Sequence, residues 1–384
     1  MKYPCTGYID MKGFGTFLEE ETAEPRRNMT LFTQELQQYL NAPWMSLVNS
    51  GSSANLVAAM AMAEKLRREG KPLTAAVSAF SFPTTVSALH LAGFRITAVD
   101  VEEGGFNVSP AALRALPELP SLLAVTHFLG YACAIREIAE MAHAAGSYVL
   151  QDACETLGLR AHGRPVHEFG DITTLSFYHP HHLSSYGGGA VICRERADYV
   201  LCDSIAHWGR ACRCHIPGET CTVPAGPAHQ FTYGRPGLNV EISELNACFG
   251  RWQLRRVAEI EEARHARFRC LHGLLSGVPG LHVYPEPGDG SSAFVFPVRL
   301  ENGMDIRGAD ALLRAEGIEM RTLMGGAANE QEAFRGGILA AEPLPAAHAM
   351  AETAFFVGIH HTLPMEAVQH VGTRLAQLLG GSGA

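Results

Sequence analysis

The chain contains few lysines for its length. Among 384 residues there are only four, Lys2, Lys12, Lys65 and Lys71, and none follows residue 71. A site built from later residues therefore has no primary amine to act as a nucleophile, a base or a covalent anchor.

Other absences limit the class of protein. No stretch of about twenty apolar residues occurs, so we expect no membrane-spanning helix, and the N-terminus has no apolar run of signal-peptide length. Lys and Arg are not clustered and the formal net charge is -9, so we expect no nucleic acid partner. With 47% hydrophobic and 18% charged residues, the composition predicts a globular, cytoplasmic protein. Its ten cysteines are then expected to be thiols rather than disulfides.

Strand and helix patterns alternate over about the first 200 residues. Helical patterns cover 30–41, the stretch from residue 51 onward, 84–92, 109–115 and 134–144. Apolar strand patterns lie near 74–79, 95–101, 121–128, 147–153, 171–177 and 189–194. This alternation predicts an α/β fold with a large, mostly parallel sheet covered by helices on both faces.

The pattern changes after a long helical stretch at 243–277, for which Ser243 is a suitable N-cap. Beyond it, a strand pattern near 292–300 and helical patterns near 305–316, 346–357 and 364–379 indicate a smaller α/β unit. We therefore predict a large domain over 1–255 and a small C-terminal domain over 256–384.

Three features of the large domain could bind a phosphorylated aromatic ring. The turn Ser50-Gly51-Ser52-Ser53 begins a predicted helix, where unpaired N–H groups suit a phosphate, although for the turn taken alone simple Ser capping is the commoner explanation. Phe82 follows a strand end and can stack on a flat ring or pack in the core. Asp152 ends another strand, where ligands gather in parallel sheets. It can hold a pyridinium nitrogen protonated or be an ordinary turn residue.

The segment Ser176-Phe177-Tyr178-His179-Pro180-His181-His182-Leu183, followed by glycines 187–189, reads like the coenzyme-lysine segment of an aminotransferase. Here the lysine position carries His181. An imidazole cannot form a Schiff base with pyridoxal phosphate, but it moves protons near neutral pH, with an unperturbed pKa of about 6.5. We therefore predict that His181 is a catalytic base and that His182 is structural.

Taken in this order, these features resemble the DegT/StrS family of sugar aminotransferases over nearly the whole chain, and segment 237–254 is similar to that family's GYN…SELQAA region. The resemblance implies a fold-type I, aspartate aminotransferase-like PLP-transferase and a homodimer with shared active sites. It also implies which residues bind pyridoxamine or pyridoxal 5'-phosphate: Gly51, Ser52, Ser53, Phe82, Asp152, Ser176 and, from the neighbouring subunit, Asn239.

Within that family, sugar 3-dehydrases that use pyridoxamine phosphate carry His at the lysine position, and this chain resembles them in that respect. The implied function is removal of a hydroxyl next to a keto group, as in C3 deoxygenation of a 4-keto sugar or a related intermediate of deoxysugar or antibiotic biosynthesis. His181 would be the base, and residues 322–329 lie where the family contacts its sugar.

Four cysteines follow the pattern C-x57-C-x-C-x6-C: Cys154, Cys212, Cys214 and Cys221. From the residues alone they could hold a [2Fe–2S] cluster, a structural zinc ion, or no metal. The spacing resembles that of the iron–sulfur-dependent CDP-4-keto-6-deoxyglucose 3-dehydrase, with one residue fewer in the last interval. The resemblance implies a [2Fe–2S] cluster in an iron–sulfur loop at about 193–225. It also implies a separate flavin- or ferredoxin-type reductase, since no GxGxxG fingerprint is evident in the chain.

Two alternatives stay open from the sequence. One is a redox-free pyridoxamine-dependent dehydratase with structural or zinc-bound cysteines, which metal and sulfide analysis would distinguish. The other is a non-catalytic aminotransferase relative that acts as a binding or assembly subunit. The presence together of Phe82, Asp152 and Ser176 argues against the second alternative.

Overall fold

The structure, a computed structural model, describes residues 3–7, 9, 11–21, 26–288, 293–335, 339 and 343–381. The helices within these ranges are α1 Phe14–Glu20, α2 Arg27–Leu40, α3 Gly51–Arg68, α4 Pro83–Leu91, α5 Pro110–Arg114, α6 Ile135–Ala144, α7 Arg196–Ala206, α8 Glu244–Leu254, α9 Val257–Leu275, α10 Ile306–Ala315, α11 Pro345–Thr353 and α12 Met365–Leu379. The strands are β1 Met45–Val48, β2 Thr74–Ser78, β3 Arg95–Val99, β4 Leu122–Thr126, β5 Tyr148–Asp152, β6 Arg160–Ala161, β7 Arg164–Pro165, β8 Ile172–Ser176, β9 Gly189–Cys193, β10 Leu281–Val283, β11 Phe296–Leu300, β12 Arg321–Thr322 and β13 Ala354–Val357.

Seven strands form the large sheet, in the order β1-β9-β8-β5-β4-β2-β3. The pairs from β8 to β3 are parallel, and β9 runs antiparallel to both β8 and β1. Alternate residues of β4 pack into different apolar clusters. Leu122 and Ala124 belong to one cluster, and Leu123 and Val125 belong to the other. Both faces of the sheet are therefore buried, as the apolar strand runs predict, and the predicted α/β class is confirmed.

Strand register brings the key chain segments to one edge of this sheet. Val48 at the end of β1 pairs with Gly189, which in turn pairs with Ser176 at the end of β8. Asp152, the last residue of β5, pairs with Thr174, which precedes Ser176 by two residues in β8. The carboxyl ends of β1, β5 and β8 therefore lie side by side, at the edge where parallel sheets bind ligands.

The long helical stretch predicted at 243–277 is two helices. α8 ends at Leu254 and α9 begins at Val257, and Arg256 between them has non-helical dihedrals. The two halves pack against different partners, because α8 lies on α2 whereas α9 lies on α12. The break falls where the sequence predicts a boundary between domains, and the division at residue 255 itself stays a prediction.

The C-terminal strands form a second, antiparallel sheet in the order β10-β11-β13-β12. The helix predicted at 346–357 is wrong over its last turn, because Ala354–Val357 is the strand β13 and all four residues are buried. A short apolar run that is buried on both faces has no periodicity to separate strand from helix. The strand predicted near 292–300 is β11 from Phe296, and residue 292 lies outside the described residues.

None of the helices described above combines the length and the apolar character that crossing a membrane requires.

The α2–α8 contact gives a test of the packing. A Cβ added at Gly250 in α8 would lie 2.5 Å from the ring of Phe32, which is fully buried. We expect Gly250→Ala to lower the free energy of unfolding by about 1–3 kcal/mol, because overpacking outweighs the gain in helix propensity. The matched control is Gly273→Ala in α9, where nothing lies within 4 Å. This exposed change should raise stability by about 0.5–1 kcal/mol. Equal urea midpoints for the two variants would contradict the packing.

Candidate active site

A cavity of about 710 Å³ opens at the carboxyl edge of the large sheet. Its wall includes most of the residues predicted to bind the coenzyme or act on the substrate: Gly51, Ser52, Phe82, Asp152, Ser176 and His181. The C-terminal part of the chain closes the other side with Arg321, Thr322, Met324 and Gly325, of which the last three lie in the segment 322–329 expected to contact a sugar. The pocket therefore assembles residues that are far apart in the sequence.

The amino end of α3 forms one end of the pocket. Ser50 caps the helix by accepting a hydrogen bond from the Ser53 N–H at 3.0 Å. A Cβ at Gly51 would lie 2.6 Å from the Cβ of Ser176, so only glycine allows the helix start to approach the end of β8. The hydroxyls of Ser52 and Ser176 line the pocket beside this helix start, whose backbone N–H groups suit an anion. In the structure the Ser52 hydroxyl donates to Thr84 Oγ1 at 2.9 Å.

Two predicted coenzyme ligands do not line the cavity. The Ser53 hydroxyl donates to Asn49 Oδ1 at 2.6 Å and its N–H bonds to Ser50, so this residue takes part in the helix cap. Its role towards the coenzyme stays a prediction. Asn239 forms an isolated bridge with His207. Since it is expected to serve the neighbouring subunit's site, its role stays a prediction.

Asp152 is buried at the bottom of the pocket with its carboxylate held by three donors. Oδ2 accepts from Asn55 Nδ2 at 2.9 Å and from Thr85 Oγ1 at 2.5 Å, and Oδ1 accepts from the Cys154 N–H at 3.1 Å. Thr174 in turn donates to Asn55 Oδ1 at 2.6 Å and fixes the amide. The carboxylate is therefore fixed in orientation before any ligand enters.

The imidazole of His181 has a defined tautomer. Its Nδ1 lies 3.2 Å from the carbonyl oxygen of Ser176. A carbonyl oxygen only accepts hydrogen bonds, so Nδ1 carries the hydrogen and Nε2 keeps its lone pair. Burial, reinforced by the positive charge of Arg264, lowers the pKa of His181 to about 4. The ring is therefore a neutral base at pH 7. His182 is buried and does not line the cavity.

A buried arginine that the sequence did not reveal holds this loop. Arg264, in α9, donates to the carbonyl oxygens of Pro180 at 2.8 Å, of His181 at 3.2 Å and of Phe294 at 2.8 Å. Its position in a charged helical stretch predicts a solvent-exposed face, so no sequence signal pointed to it. The C-terminal part of the chain thus braces the backbone of the predicted base.

Glu155 is a second residue that sequence reasoning missed. It lines the pocket, and its Oε2 accepts from the Leu129 N–H at 2.6 Å. Burial, with a smaller contribution from Asp152, raises its pKa to about 8. At pH 7 the group is therefore a neutral acid that can donate a hydrogen bond. The only sequence signal for a role of Glu155 in the pocket is its position three residues after Asp152.

No lysine lines the cavity in the part of the chain that the structure describes. Lys65 Nζ forms a salt bridge with Asp198 at 2.8 Å, and Lys71 Nζ donates to the carbonyl of Gly146 at 2.8 Å. These amines are engaged on other surfaces of the large domain.

Three of the four cysteines predicted to bind a metal form a group in the structure. Cys212, Cys214 and Cys221 lie together, but the fourth ligand atom within 4.8 Å belongs to His229. Cys154 instead lines the coenzyme pocket next to Gly51. Its position is fixed by the end of β5, whereas the other three thiols lie in the irregular segment after α7. The assignment of Cys154 as a metal ligand stays a prediction.

Charged side chains anchor that irregular segment to α7. Asp203 Oδ2 lies 2.7 Å from Nε2 of His215, and Glu241 Oε1 lies 3.3 Å from Nε2 of His207. Although burial opposes its charge, hydrogen bonds with Asp203 and Glu241 raise the pKa of His207 to about 10. The segment that carries the thiols is thus fixed at its start by the His207–Glu241 ion pair and the contact between His215 and Asp203.

The buried acid gives a test by pH. Because the pKa of Glu155 rises from 4.5 to about 8 on folding, the folded chain binds this proton more tightly than the unfolded chain. Its contribution is fully present below pH 4.5 and is lost as pH rises towards 8, by at most about 1.4 kcal/mol per pH unit. We expect Glu155→Gln to be more stable than the native chain at pH 9. Urea unfolding of the coenzyme-free proteins at pH 5 and 9 measures this, and an identical pH dependence in both would contradict it.

Comparison with known proteins agrees with this geometry. Residues 12–376 match the DegT/DnrJ/EryC1/StrS aminotransferase family. The chain is 30% identical over 377 residues to dTDP-4-dehydro-2,6-dideoxy-D-glucose 3-dehydratase of Saccharopolyspora spinosa, covering 92% of this chain and 81% of that protein. It is also 30% identical over 369 residues to lipopolysaccharide biosynthesis protein RfbH of Salmonella typhimurium, covering 91% and 84%.

Among solved structures, the E. coli GDP-4-keto-6-deoxy-D-mannose-3-dehydratase with bound hydrated PLP has the same fold. It gives a TM-score of 0.86 at 20% identity, covering 98% of this chain and 99% of that one. The family and fold expected from the sequence are confirmed: the chain belongs to the DegT/DnrJ/EryC1/StrS aminotransferase family.

Proposed function

We propose that this protein is a pyridoxamine-phosphate-dependent sugar 3-dehydratase with His181 as its base. The observation that carries the proposal is the neutral imidazole of His181, which lines the pocket with Nε2 unprotonated and stands where an aminotransferase has lysine. The name of the Saccharopolyspora relative, a 3-dehydratase, supports the same reaction class.

The pocket residues fit pyridoxamine or pyridoxal 5'-phosphate. The start of α3 with Ser52 and Ser176 suits the phosphate, and the fixed carboxylate of Asp152 suits a pyridinium nitrogen. Phe82 is 52% exposed and lines the cavity, where it can stack on the coenzyme ring. In a homodimer, Asn239 of each subunit would reach the phosphate of the other.

When bound, the coenzyme supplies an amine that condenses with a keto group and a ring that accepts electron density. His181 Nε2 takes the proton from the coenzyme methylene carbon. The proton then held on Nε2 can pass to the departing C3 hydroxyl, so that water is released. Arg264 holds the backbone of the base throughout, and Glu155, as a neutral acid, adds no negative charge beside Asp152.

The proposed substrate is a 4-keto sugar, or a related natural-product intermediate with a hydroxyl next to a ketone. The named dehydratase relatives act on nucleotide-linked sugars, so a sugar nucleotide is the substrate class we expect first. Thr322, Met324 and Gly325 would contact it from the C-terminal side of the pocket.

We further propose that the cysteine segment holds a [2Fe–2S] cluster, which makes the overall reaction a reductive deoxygenation. Such a cluster transfers single electrons, and a separate flavin- or ferredoxin-type reductase would supply them. Cys212, Cys214 and Cys221 are grouped and are exposed to different degrees, which suits electron entry from a docked partner. The redox-free alternative, with zinc-bound thiols, predicts zinc and no acid-labile sulfide in anaerobically purified protein.

Replacement of the base tests the function directly. We expect His181→Asn to lower water elimination from nucleotide-linked 4-keto-6-deoxy sugars by about 10²–10⁴-fold, the usual loss when a general base is removed. The affinity for pyridoxamine phosphate should change less than about threefold, because no other contact is lost. Mass spectrometry measures elimination and fluorescence titration measures affinity. The matched control is His182→Asn, outside the cavity, which should retain activity. Elimination at the native rate by His181→Asn would refute the assignment.

The pH profile gives a second test. Only the neutral form of His181 is active, so activity falls as pH drops through its pKa of about 4. We expect kcat/KM to be flat between about pH 5.5 and 7, above the pKa of His181 and below the pKa of about 8 of Glu155. Arg264→Met removes a nearby positive charge and should move the acid limb to higher pH. An acid limb near pH 6.5 in the native enzyme would contradict the buried, neutral base.

A further inference from the structure

We infer that His360 donates a hydrogen bond from Nε2 to a phosphate oxygen of the substrate and so forms, with Arg321, a subsite for the phosphate of a sugar nucleotide. The inference rests on the proposed function, because it gives a position to the anionic part of the proposed substrate. It makes His360 and Arg321 residues that determine which substrates bind.

His360 has the opposite tautomer to His181. Its Nδ1 lies 3.3 Å from the backbone nitrogen of Thr362 and 2.9 Å from the hydroxyl of the same residue. A backbone N–H only donates hydrogen bonds, so Nδ1 is the acceptor and Nε2 carries the hydrogen. Burial, together with the positive charge of Arg264, lowers the pKa of His360 well below its usual range. The ring is therefore neutral at pH 7 and offers one donor.

That donor has no acceptor in the part of the chain that the structure describes. The hydrogen bonds of the His360 side chain are those of Nδ1 with Thr362. The residue is only 3% exposed, and it lines the cavity. Buried N–H groups are normally paired, because water no longer solvates them. A ligand oxygen in the cavity can supply the missing acceptor.

The N-terminal segment holds the ring from its Nδ1 edge. A Cβ added at Gly7 would lie 1.9 Å from Nδ1 of His360, so only glycine lets the backbone pass this close. Cys5 in the same segment fixes it, because its N–H donates to Glu319 Oε2 at 3.0 Å. With the Nδ1 edge covered, the Nε2 edge is the one left for the cavity.

Strand register brings Arg321 to the same side of the pocket. Arg321 in β12 pairs with Phe356 in β13, four residues before His360. Its Nη2 lies 2.5 Å from Oε1 of Glu319, and the side chain lines the cavity. A guanidinium has five N–H donors in a planar fork that matches a phosphate. One carboxylate does not use all five, so donors remain for a second anion.

The charges of the cavity wall show which ligand suits this side. Among the described residues, the acids that line the cavity are Asp152, which ends β5, and Glu155 three residues later. The arginines of the wall, Arg264 and Arg321, come from the C-terminal part of the chain. Arg264 donates to backbone carbonyls and forms no ion pair within the described ranges. Donors and cations without an acid favour a phosphate, which only accepts, over a sugar hydroxyl, which also donates.

Binding of nucleoside diphosphates tests the subsite. Every protein carries His181→Asn and bound pyridoxamine phosphate, so that binding is measured without turnover. Isothermal titration calorimetry compares dTDP, GDP, CDP and UDP with their nucleosides. We expect His360→Phe to weaken the best nucleoside diphosphate about 10–100-fold, because a hydrogen bond to a charged group is lost.

The matched variant is His360→Gln, which keeps an N–H donor and should bind that diphosphate within about fivefold of the protein with His360. Arg321→Gln removes the charge and should weaken binding about tenfold. The affinities for the nucleoside and for pyridoxamine phosphate should be equal in all these proteins, which also shows that each variant is folded.

Unchanged diphosphate affinity in His360→Phe would overturn the inference, and so would the failure of all four diphosphates to bind when His360 is present. With His181 restored, a raised KM for the sugar nucleotide beside unchanged diphosphate affinity would place His360 at the sugar and contradict the phosphate subsite. The proposed dehydration fails separately, through elimination at the native rate by His181→Asn. The two claims are therefore distinguishable.

Discussion

The hydrogen bond between His181 Nδ1 and the Ser176 carbonyl is the contact on which the chemistry of the pocket depends. It fixes the tautomer that leaves Nε2 unprotonated, and burial keeps the ring neutral at pH 7. Ser176 is the last residue of a central strand, so the carbonyl is positioned by the sheet. Arg264 holds the loop from the other side. A histidine that lies outside the strands and helices therefore has a fixed orientation.

The same strand end organises the rest of the pocket. Because Ser176 pairs with Gly189 and Gly189 with Val48, the start of α3 follows directly beside it, and Gly51 allows the close approach. The chain then reaches the thiol group through β9 and α7. It returns to this edge when the Asn49 N–H donates to the carbonyl of Val240 at 2.7 Å. The segments that form the pocket and the segment that carries the thiols are thus both connected to the same edge of the sheet.

Sequence reasoning found what depends on local pattern and failed where distant segments meet. The parallel strands, the cap at Ser50 and the position of His181 follow from short motifs. The break after Leu254 and the strand at 354–357 depend on packing partners that periodicity does not reveal. Arg264 and Glu155 are ionisable residues that the fold buries, and a single sequence does not reveal which ionisable residues are buried. The role of Cys154 stays a prediction, because spacing along a chain does not fix distance in space. His229 lies outside the cysteine pattern, so the sequence did not place it beside the three thiols.

The central claim, that a neutral imidazole stands where the family anchors its coenzyme on an amine, is tested most directly by borohydride reduction. Protein with one equivalent of pyridoxal phosphate is reduced, denatured and weighed by intact mass spectrometry. The account predicts an unchanged chain mass and recovery of the coenzyme in the low-molecular-weight fraction. Stoichiometric covalent attachment of the coenzyme to the chain would contradict it.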